Sequence, residues 1–350
     1  MVILIIILLL EVIFRFWYYL KYKRSYHISI KIPWKDSYVI PNPFLSFSYK
    51  RNSIIDKNQK LPYPLHTNKF YSFKDPLHLN NIGHFGKNIK LKKSKIRILC
   101  LGASTTANNI SDGKQDYTYP KLLQKYLGNK YEVVNCGIGG WTSIDILINF
   151  QLNLLQYKPD MIILYHGYND LAYHLMDNIK TDYSHGRKNL GEVIYKIKRS
   201  YFLPKIKFFH LYEFFKDKIF GTGNVRNDVM FMINKQQIDY LKEFKTLQIE
   251  KNIIENLYIL CKHHNIKILS STFAYYDYEK TLASNKLHKG IIIENKNIKK
   301  LSKKYNTLFV DQYELVPNND EYFVDCVHFT PKGMKKISRE FGNVIKKYYN

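Results

Sequence analysis

Ser104 follows the apolar run Ile98-Leu99-Cys100-Leu101 and the small pair Gly102-Ala103, and a strand ending in small residues delivers a side chain to a sheet edge with space around it. A serine hydroxyl becomes a nucleophile only when an imidazole takes its proton, and the imidazole works best when a carboxylate fixes its tautomer. Asp325-Cys326-Val327-His328 supplies both groups, on a loop before a helix started by Pro331. Such a trio attacks acyl carbonyls, and the attack also needs donors aimed at the developing oxyanion. The candidate donors are the backbone amide of Ser104, an unhindered amide at Gly140 in Asn135-Cys136-Gly137-Ile138-Gly139-Gly140, and the carboxamide of Asn169 in Gly167-Tyr168-Asn169-Asp170. Asp170 reads as structural, either an N-cap or a partner for loop amides. Each residue alone has a plainer reading: Ser104 as a helix cap, Gly139-Gly140 as a turn, His328 as a satisfied histidine. Their joint occurrence after successive strand-like runs turns the balance towards a catalytic site.

The elements that must carry these residues alternate. Apolar runs of strand length lie at Ile96 to Leu101, Tyr131 to Val134, Met161 to Tyr165, Ile266 to Phe273 and Thr307 to Val310. Amphipathic stretches separate or follow them at Tyr119 to Leu127, Ile144 to Gln156, Gln236 to His264, Ile291 to Lys304 and Lys332 to Tyr348. Strand and helix taking turns predict an α/β fold, a doubly wound parallel sheet of about five strands with helices on both faces. In such a fold ligands bind at the carboxyl edge near the switch in strand order, where the ends of these runs converge. Between Asp170 and about Gln236 the rhythm breaks, and residues 171–235 read as an insertion: a lid or acceptor-binding surface on one reading, a helical pair packed on the rim on the other.

The amino-terminal part differs. Met1 to Leu20 is apolar except for Glu11 and Arg15, and as a helix it would span about 30 Å, the thickness of a bilayer core. Residues 1–20 are therefore expected to form a single-pass transmembrane anchor; a signal peptide fits less well, because no charged region precedes the run and no small-residue cleavage site follows it. The expected localisation is the membrane, with the side of the catalytic part left open. Residues 21–95, punctuated by Pro33, Pro41, Pro43, Pro62, Pro64 and Pro76, read as an extended arm packing on the main domain, residues 96–350.

The formal charge is +25, but it is spread as lysine through nearly every segment, with no arginine cluster, zinc-finger spacing or aromatic RNA-binding motif, so no nucleic-acid partner is expected. The cysteines Cys100, Cys136, Cys261 and Cys326 are too few and scattered for a disulfide framework. Cys136 and Cys326 both fall inside proposed site segments. No Gly-x-Gly-x-x-Gly fingerprint or phosphate loop occurs, and Cys261, His263 and His264 lack a second ligand pair for zinc. His166 and Trp141 are possible pocket residues, with plain packing an equal reading.

Gly102-Ala103-Ser104-Thr105, the Gly139-Gly140 turn after Asn135, Gly167-Tyr168-Asn169-Asp170 and Asp325-Cys326-Val327-His328 resemble, in order and spacing, the four signature blocks of the SGNH (GDSL-like) hydrolases. The resemblance covers approximately Ile96 to Tyr349. It implies a flavodoxin-like fold, Ser104 as nucleophile, His328 as general base, Asp325 as its orienting partner, and Ser104, Gly140 and Asn169 as the oxyanion hole. It implies neither cofactor nor metal. Ala103 and Thr105 depart from the Gly-Asp-Ser-Leu form at positions without a catalytic role, and Asn81 to Gly86 is similar to a stretch upstream of the nucleophile in some members. The expected activity is an ester hydrolase cleaving an acyl or acetyl group from a carbohydrate or lipid. An O-acyltransferase using the same acyl-enzyme, and a glycan-binding module that has kept the pocket, are the alternatives.

Overall fold

The computed structural model describes residues 2–22, 39–40, 42–55, 77–107, 118–186, 238–244, 247–277 and 281–349. The amino-terminal part holds α1 (Val2–Tyr22), β1 (Val39–Ile40), β2 (Ser48–Tyr49), β3 (Ser53–Ile55) and β4 (Leu77–Leu79). Next come β5 (Ile96–Gly102), α2 (Ser104–Ala107), α3 (Tyr119–Leu127), β6 (Tyr131–Gly137), α4 (Ser143–Asn149), β7 (Met161–Tyr165) and α5 (Tyr168–His174). The carboxyl-terminal part is α6 (Gln248–His263), β8 (Lys267–Ser271), α7 (Leu282–Tyr305), β9 (Leu308–Val310), α8 (Gln312–Leu315) and α9 (Pro331–Tyr349).

The five strands from β5 onward form one parallel sheet in the order β6-β5-β7-β8-β9. Strands buried on both faces read as continuous apolar runs, and the pleat sends neighbours to opposite layers. Leu99 and Leu101 of β5 join the core under α4 and α6, with Ile146, Ile254 and Leu257. Ile98 and Cys100 join the core under α3 and α9, with Leu123, Met334, Ile337 and Phe341. The spacing of Met334, Ile337, Phe341 and Ile345, all essentially sealed from solvent, is the apolar stripe that makes α9 a sheet-covering helix. The order switches between β5 and β7, which flank each other while their helices leave to opposite faces, so a crevice opens at their carboxyl ends.

Several boundaries differ from the sequence expectation. The helix expected over Ile144 to Gln156 passes after Asn149 into a π turn at Phe150–Leu154 and a 3₁₀ turn at Leu155–Tyr157; this widening buries both Phe150 and Leu154 in the core. The helix expected from Gln236 starts only at Gln248, after a turn in which Asp239 accepts the Leu241 amide (2.9 Å) and Lys242 binds the Met176 carbonyl (2.6 Å). Helix α7 starts nine residues earlier than its apolar pattern, at a cap where Thr281 Oγ1 accepts the Ser284 amide (3.1 Å).

At the amino terminus a correction is needed. A helix forms over Val2–Tyr22, but among the described residues no helix is long and apolar enough to cross a membrane, so the transmembrane anchor over residues 1–20, and the membrane partner it implied, are not supported. The apolar run of this helix is interrupted by Glu11 and Arg15, which pair with each other, Arg15 Nε to Glu11 Oε1 at 2.8 Å, with Glu11 buried. Of the insertion at 171–235, residues 187–235 lie outside the described residues, as does much of the arm at 21–95. The described part of the arm contributes Leu45, Phe47, Tyr49, Leu79, Ile82 and Phe85 to the core under α4.

Candidate active site

Ser104 is the first residue of α2, directly after β5. In the first turn of a helix the amides have no intrahelical acceptor, so the Ser104 N–H is free to face a ligand. The approach of α2 to the sheet is very close. A Cβ on Gly102 would stand 2.1 Å from Thr106 Oγ1 and 2.5 Å from the Tyr165 carbonyl, and one on Gly137 would meet the Ala107 amide nitrogen at 2.4 Å. Glycine at the ends of β5 and β6 is therefore what lets α2 seat on the strands and present Ser104 at the rim.

The loop before α9 brings the other two members to it. His328 Nε2 lies 2.9 Å from Ser104 Oγ, and His328 Nδ1 lies 2.7 Å from Asp325 Oδ2. The second carboxylate oxygen, Oδ1, accepts the amides of Val327 (2.9 Å) and His328 (2.7 Å), which holds the carboxylate beside the ring. Burial pushes the Asp325 carboxyl up, but the His328 imidazole beside it and the two amides outweigh burial and bring it down to about 2. An ionised carboxylate only accepts. Nδ1 must therefore carry the imidazole proton, and Nε2 presents a lone pair to the Ser104 hydroxyl.

Asn169 is tied to the turn that carries Gly140. Asn169 Nδ2 donates one hydrogen to the Trp141 carbonyl at 2.8 Å, which holds the carboxamide beside the turn and leaves its second hydrogen for a ligand. Gly140 has φ 85°, a left-handed conformation that suits glycine. The turn is anchored from below. Gly139 N–H donates to Tyr49 Oη (3.3 Å), Trp141 Nε1 to the Phe47 carbonyl (3.1 Å), and the buried Asp145 accepts Thr142 N (3.2 Å), Thr142 Oγ1 (3.1 Å), Ser46 N (2.8 Å) and Ser46 Oγ (3.1 Å). Trp141 is almost wholly enclosed, with its ring edge-on to His84, so of its two readings the structure gives packing.

Asp170 is fully buried and accepts the Ser143 amide (3.0 Å), the Ser143 hydroxyl and His166 Nε2 (2.5 Å), tying α4 to α5. Burial works to raise this carboxyl, but the His166 ring and the Ser143 donors override it and hold it below its ordinary value. His166 thus faces inward, away from the crevice. His84, in the Asn81 to Gly86 stretch, donates from Nδ1 to the Gly137 carbonyl (3.4 Å) and accepts at Nε2 from Asn149 (3.3 Å); burial lowers it to about 4, so it stays neutral.

Cys136 and Cys326 do not come together. Cys136 belongs to the core under α4, whereas Cys326 packs on the α9 side against Tyr168, its Sγ 3.9 Å from Tyr168 Oη. None of the four cysteines forms a disulfide. Sequence reading passed over Ser143 and Asp145 as supports of the site. The signal was present in Thr142-Ser143-Ile144-Asp145, a cap residue with an acid three positions on.

The family model described as GDSL-like Lipase/Acylhydrolase matches residues 100–336. The chain is 32% identical over 108 residues to an acetylxylan esterase of Xylanibacter ruminicola, a stretch that is 29% of this chain and 22% of that enzyme. Among solved structures it is similar to a GDSL-like lipase from Bacteroides thetaiotaomicron, at 17% identity over 72% of this chain and 89% of the other, with a TM-score of 0.43. It is also similar to a lipase/acylhydrolase from Enterococcus faecalis, at 14% identity over 72% and 96% of the two chains, with a TM-score of 0.44.

Proposed function

The chain belongs to the GDSL-like lipase/acylhydrolase family, and from that premise we propose that it is a serine esterase that removes an acyl group, acetyl foremost, from a carbohydrate. The observation that carries the reading is the continuous relay from Asp325 through His328 to Ser104, with contacts of 2.7 and 2.9 Å. The stretch shared with an acetylxylan esterase supports the acetyl and carbohydrate part.

In this reading Ser104 Oγ attacks the ester carbonyl while His328 Nε2 takes its proton, and Asp325 stabilises the imidazolium that forms. The carbonyl π electrons move onto the oxygen, which the Ser104 amide, the Gly140 amide and the free Asn169 hydrogen receive. Collapse of the tetrahedral intermediate expels the alcohol, which takes the proton from His328, and leaves the acyl group on Ser104. Water then repeats the sequence and releases the acid. A sugar hydroxyl in place of water would make the same acyl-enzyme a transferase, and a glycan-binding module would not form it.

Labelling with a fluorophosphonate tests the activated serine, since covalent capture requires it. Expected are labelling of the native chain, none of Ser104→Ala, and acetate released from acetylated xylo-oligosaccharide in step with substrate lost. A folded protein that takes no label excludes the esterase; acetate yield falling short while acetyl appears on an added acceptor glycan identifies transfer.

A further inference from the structure

Behind the oxyanion residues lies a second cluster of titratable groups that the acyl chemistry does not use. Four elements contribute: His166 after β7, Asp170 from α5, Glu250 from the first turn of α6 and Glu294 from the middle of α7. All four side chains are at least 97% buried. Both oxygens of Glu250, both oxygens of Glu294 and Nδ1 of His166 have no hydrogen-bond partner. The two glutamates neighbour each other, and the Glu294 carboxyl lies directly against Gly167, where a Cβ would stand 2.5 Å from Oε2.

Three carboxyl groups sealed from water require compensation, because an unpaired buried carboxylate costs several kcal/mol even after relaxation. One is compensated internally: Asp170 is met by Ser143 and His166. The other two, Glu250 and Glu294, have only each other: burial pushes both carboxyls up, and a protonated one donates to its neighbour, with no donor from any other described residue. A hydrogen bond between Glu250 and Glu294 engages one oxygen of each and still leaves their other oxygens and His166 Nδ1 without a partner. A divalent cation, displacing the carboxyl proton, supplies those missing partners. One ligand atom each from His166, Asp170 and Glu250 lies within 4.8 Å of the others. Metal bonds of about 2.0 to 2.2 Å span ligand atoms about 3 to 4 Å apart, so side-chain shifts of under about 1 Å would close the triangle.

We propose that His166, Asp170 and Glu250, with Glu294 as a further carboxylate, hold one divalent ion of the zinc or manganese type beneath the Gly167 to Asp170 segment. The mixture of imidazole and carboxylate ligands selects this class over calcium and magnesium, which take oxygen ligands alone. The ion takes no part in attack on the ester. It fixes α5, α6 and α7 to one another behind Asn169, so its role is structural.

The test is independent of esterase activity. The full-length chain is produced in medium supplied with zinc and manganese, and bound metal is measured by mass spectrometry; it is then stripped with dipicolinate and titrated with Zn²⁺ while its melting temperature is followed. Expected are about one metal per chain, a lower melting temperature after stripping, and its recovery with Zn²⁺. Glu250→Gln should retain less than about a tenth of the metal, as expected when a ligand is lost. Metal far below one per chain together with a melting temperature indifferent to Zn²⁺ overturns the proposal. So does a Glu250→Gln protein that keeps its metal, since the ion would then sit elsewhere, for example at the exposed His263 and His264. The wild-type measurements decide the matter even if the variant does not fold.

Discussion

Replacing Asp325 with asparagine separates the two duties of its carboxylate. Oδ1 accepts two backbone amides, from Val327 at 2.9 Å and His328 at 2.7 Å, while Oδ2 faces His328 Nδ1 at 2.7 Å. Asparagine has one oxygen. If that oxygen stays on the amides, two hydrogen bonds worth about 1 kcal/mol each are kept and the NH₂ points at Nδ1. The reverse flip forfeits both bonds and sets NH₂ against two N–H groups, so the first orientation wins by at least about 2 kcal/mol. An NH₂ donor at Nδ1 forces the imidazole into the tautomer protonated on Nε2, which no longer has a lone pair for the Ser104 proton. The fold should therefore survive while kcat/KM falls by about 10⁴, or about 5.5 kcal/mol. Initial rates on p-nitrophenyl acetate give the loss, circular dichroism melting gives the stability, and ¹⁵N chemical shifts of the imidazole give the tautomer. A fall of less than tenfold, with Ser104→Ala inactive, would refute the tautomer reasoning; so would a ring still protonated on Nδ1.

Asn169→Ala removes the proposed oxyanion donor while leaving the proposed triad, so kcat should fall by about 10² to 10³ with KM little changed; steady-state kinetics showing mainly a KM effect would assign Asn169 to ground-state binding. Gly102→Ala puts a methyl 2.1 Å from Thr106 Oγ1 and against the Tyr165 carbonyl, an overpacking expected to cost about 1 to 3 kcal/mol in urea unfolding and to displace Ser104, so kcat should drop alongside. His84 is held down to about 4 by burial against 6.5 when exposed, so in the window between those values the unfolded chain takes up a proton that the folded chain refuses, and stability is lost as pH falls through it. Melting curves at pH 7 and pH 4.5 should show a smaller acid loss for His84→Gln than for the native protein, the difference reaching up to about 3 kcal/mol; equal losses would mean that His84 does not stay neutral. Asp325 is held ionised down to about 2, so its own protonation should contribute nothing to loss of activity above that pH.

The sheet was legible because its strands are buried on both faces and so read as unbroken apolar runs; Met161–Tyr165 is entirely buried. The placement of the candidate site residues was legible for a related reason. Ser104, Gly140 and Asn169 each follow the end of such a run, and a parallel sheet collects those ends on one edge. Polar helix starts were not. The first turns of α7, Leu282 to Lys289, carry little apolar period, and the start is set by the Thr281 and Ser284 cap instead. Cys136 sits on β6, where the pleat turns it to the core under α4, while Cys326 lies in the loop before α9 and packs on the other face, so two residues flanking the candidate site in sequence lie in opposite layers. Hydropathy alone counted Met1 to Leu20 as a span, an expectation that the described helix does not support. The buried cluster of His166, Glu250 and Glu294 was invisible, since no spacing in the chain links residues drawn from three separated elements.

The clamp that Phe47, Tyr49 and Ser46 place on the Gly139 to Asp145 turn means that the family match at residues 100–336 is narrower than the unit that works. A chain trimmed to those limits would lose the three residues that moor the Gly139 to Asp145 turn and would end partway along α9, short of Phe341 and Ile345, which seal one face of the sheet. Anyone transplanting this hydrolase into another protein would have to move its upstream arm and its last helix as well; heredity recorded in the motif and autonomy of folding draw different borders on the same polypeptide.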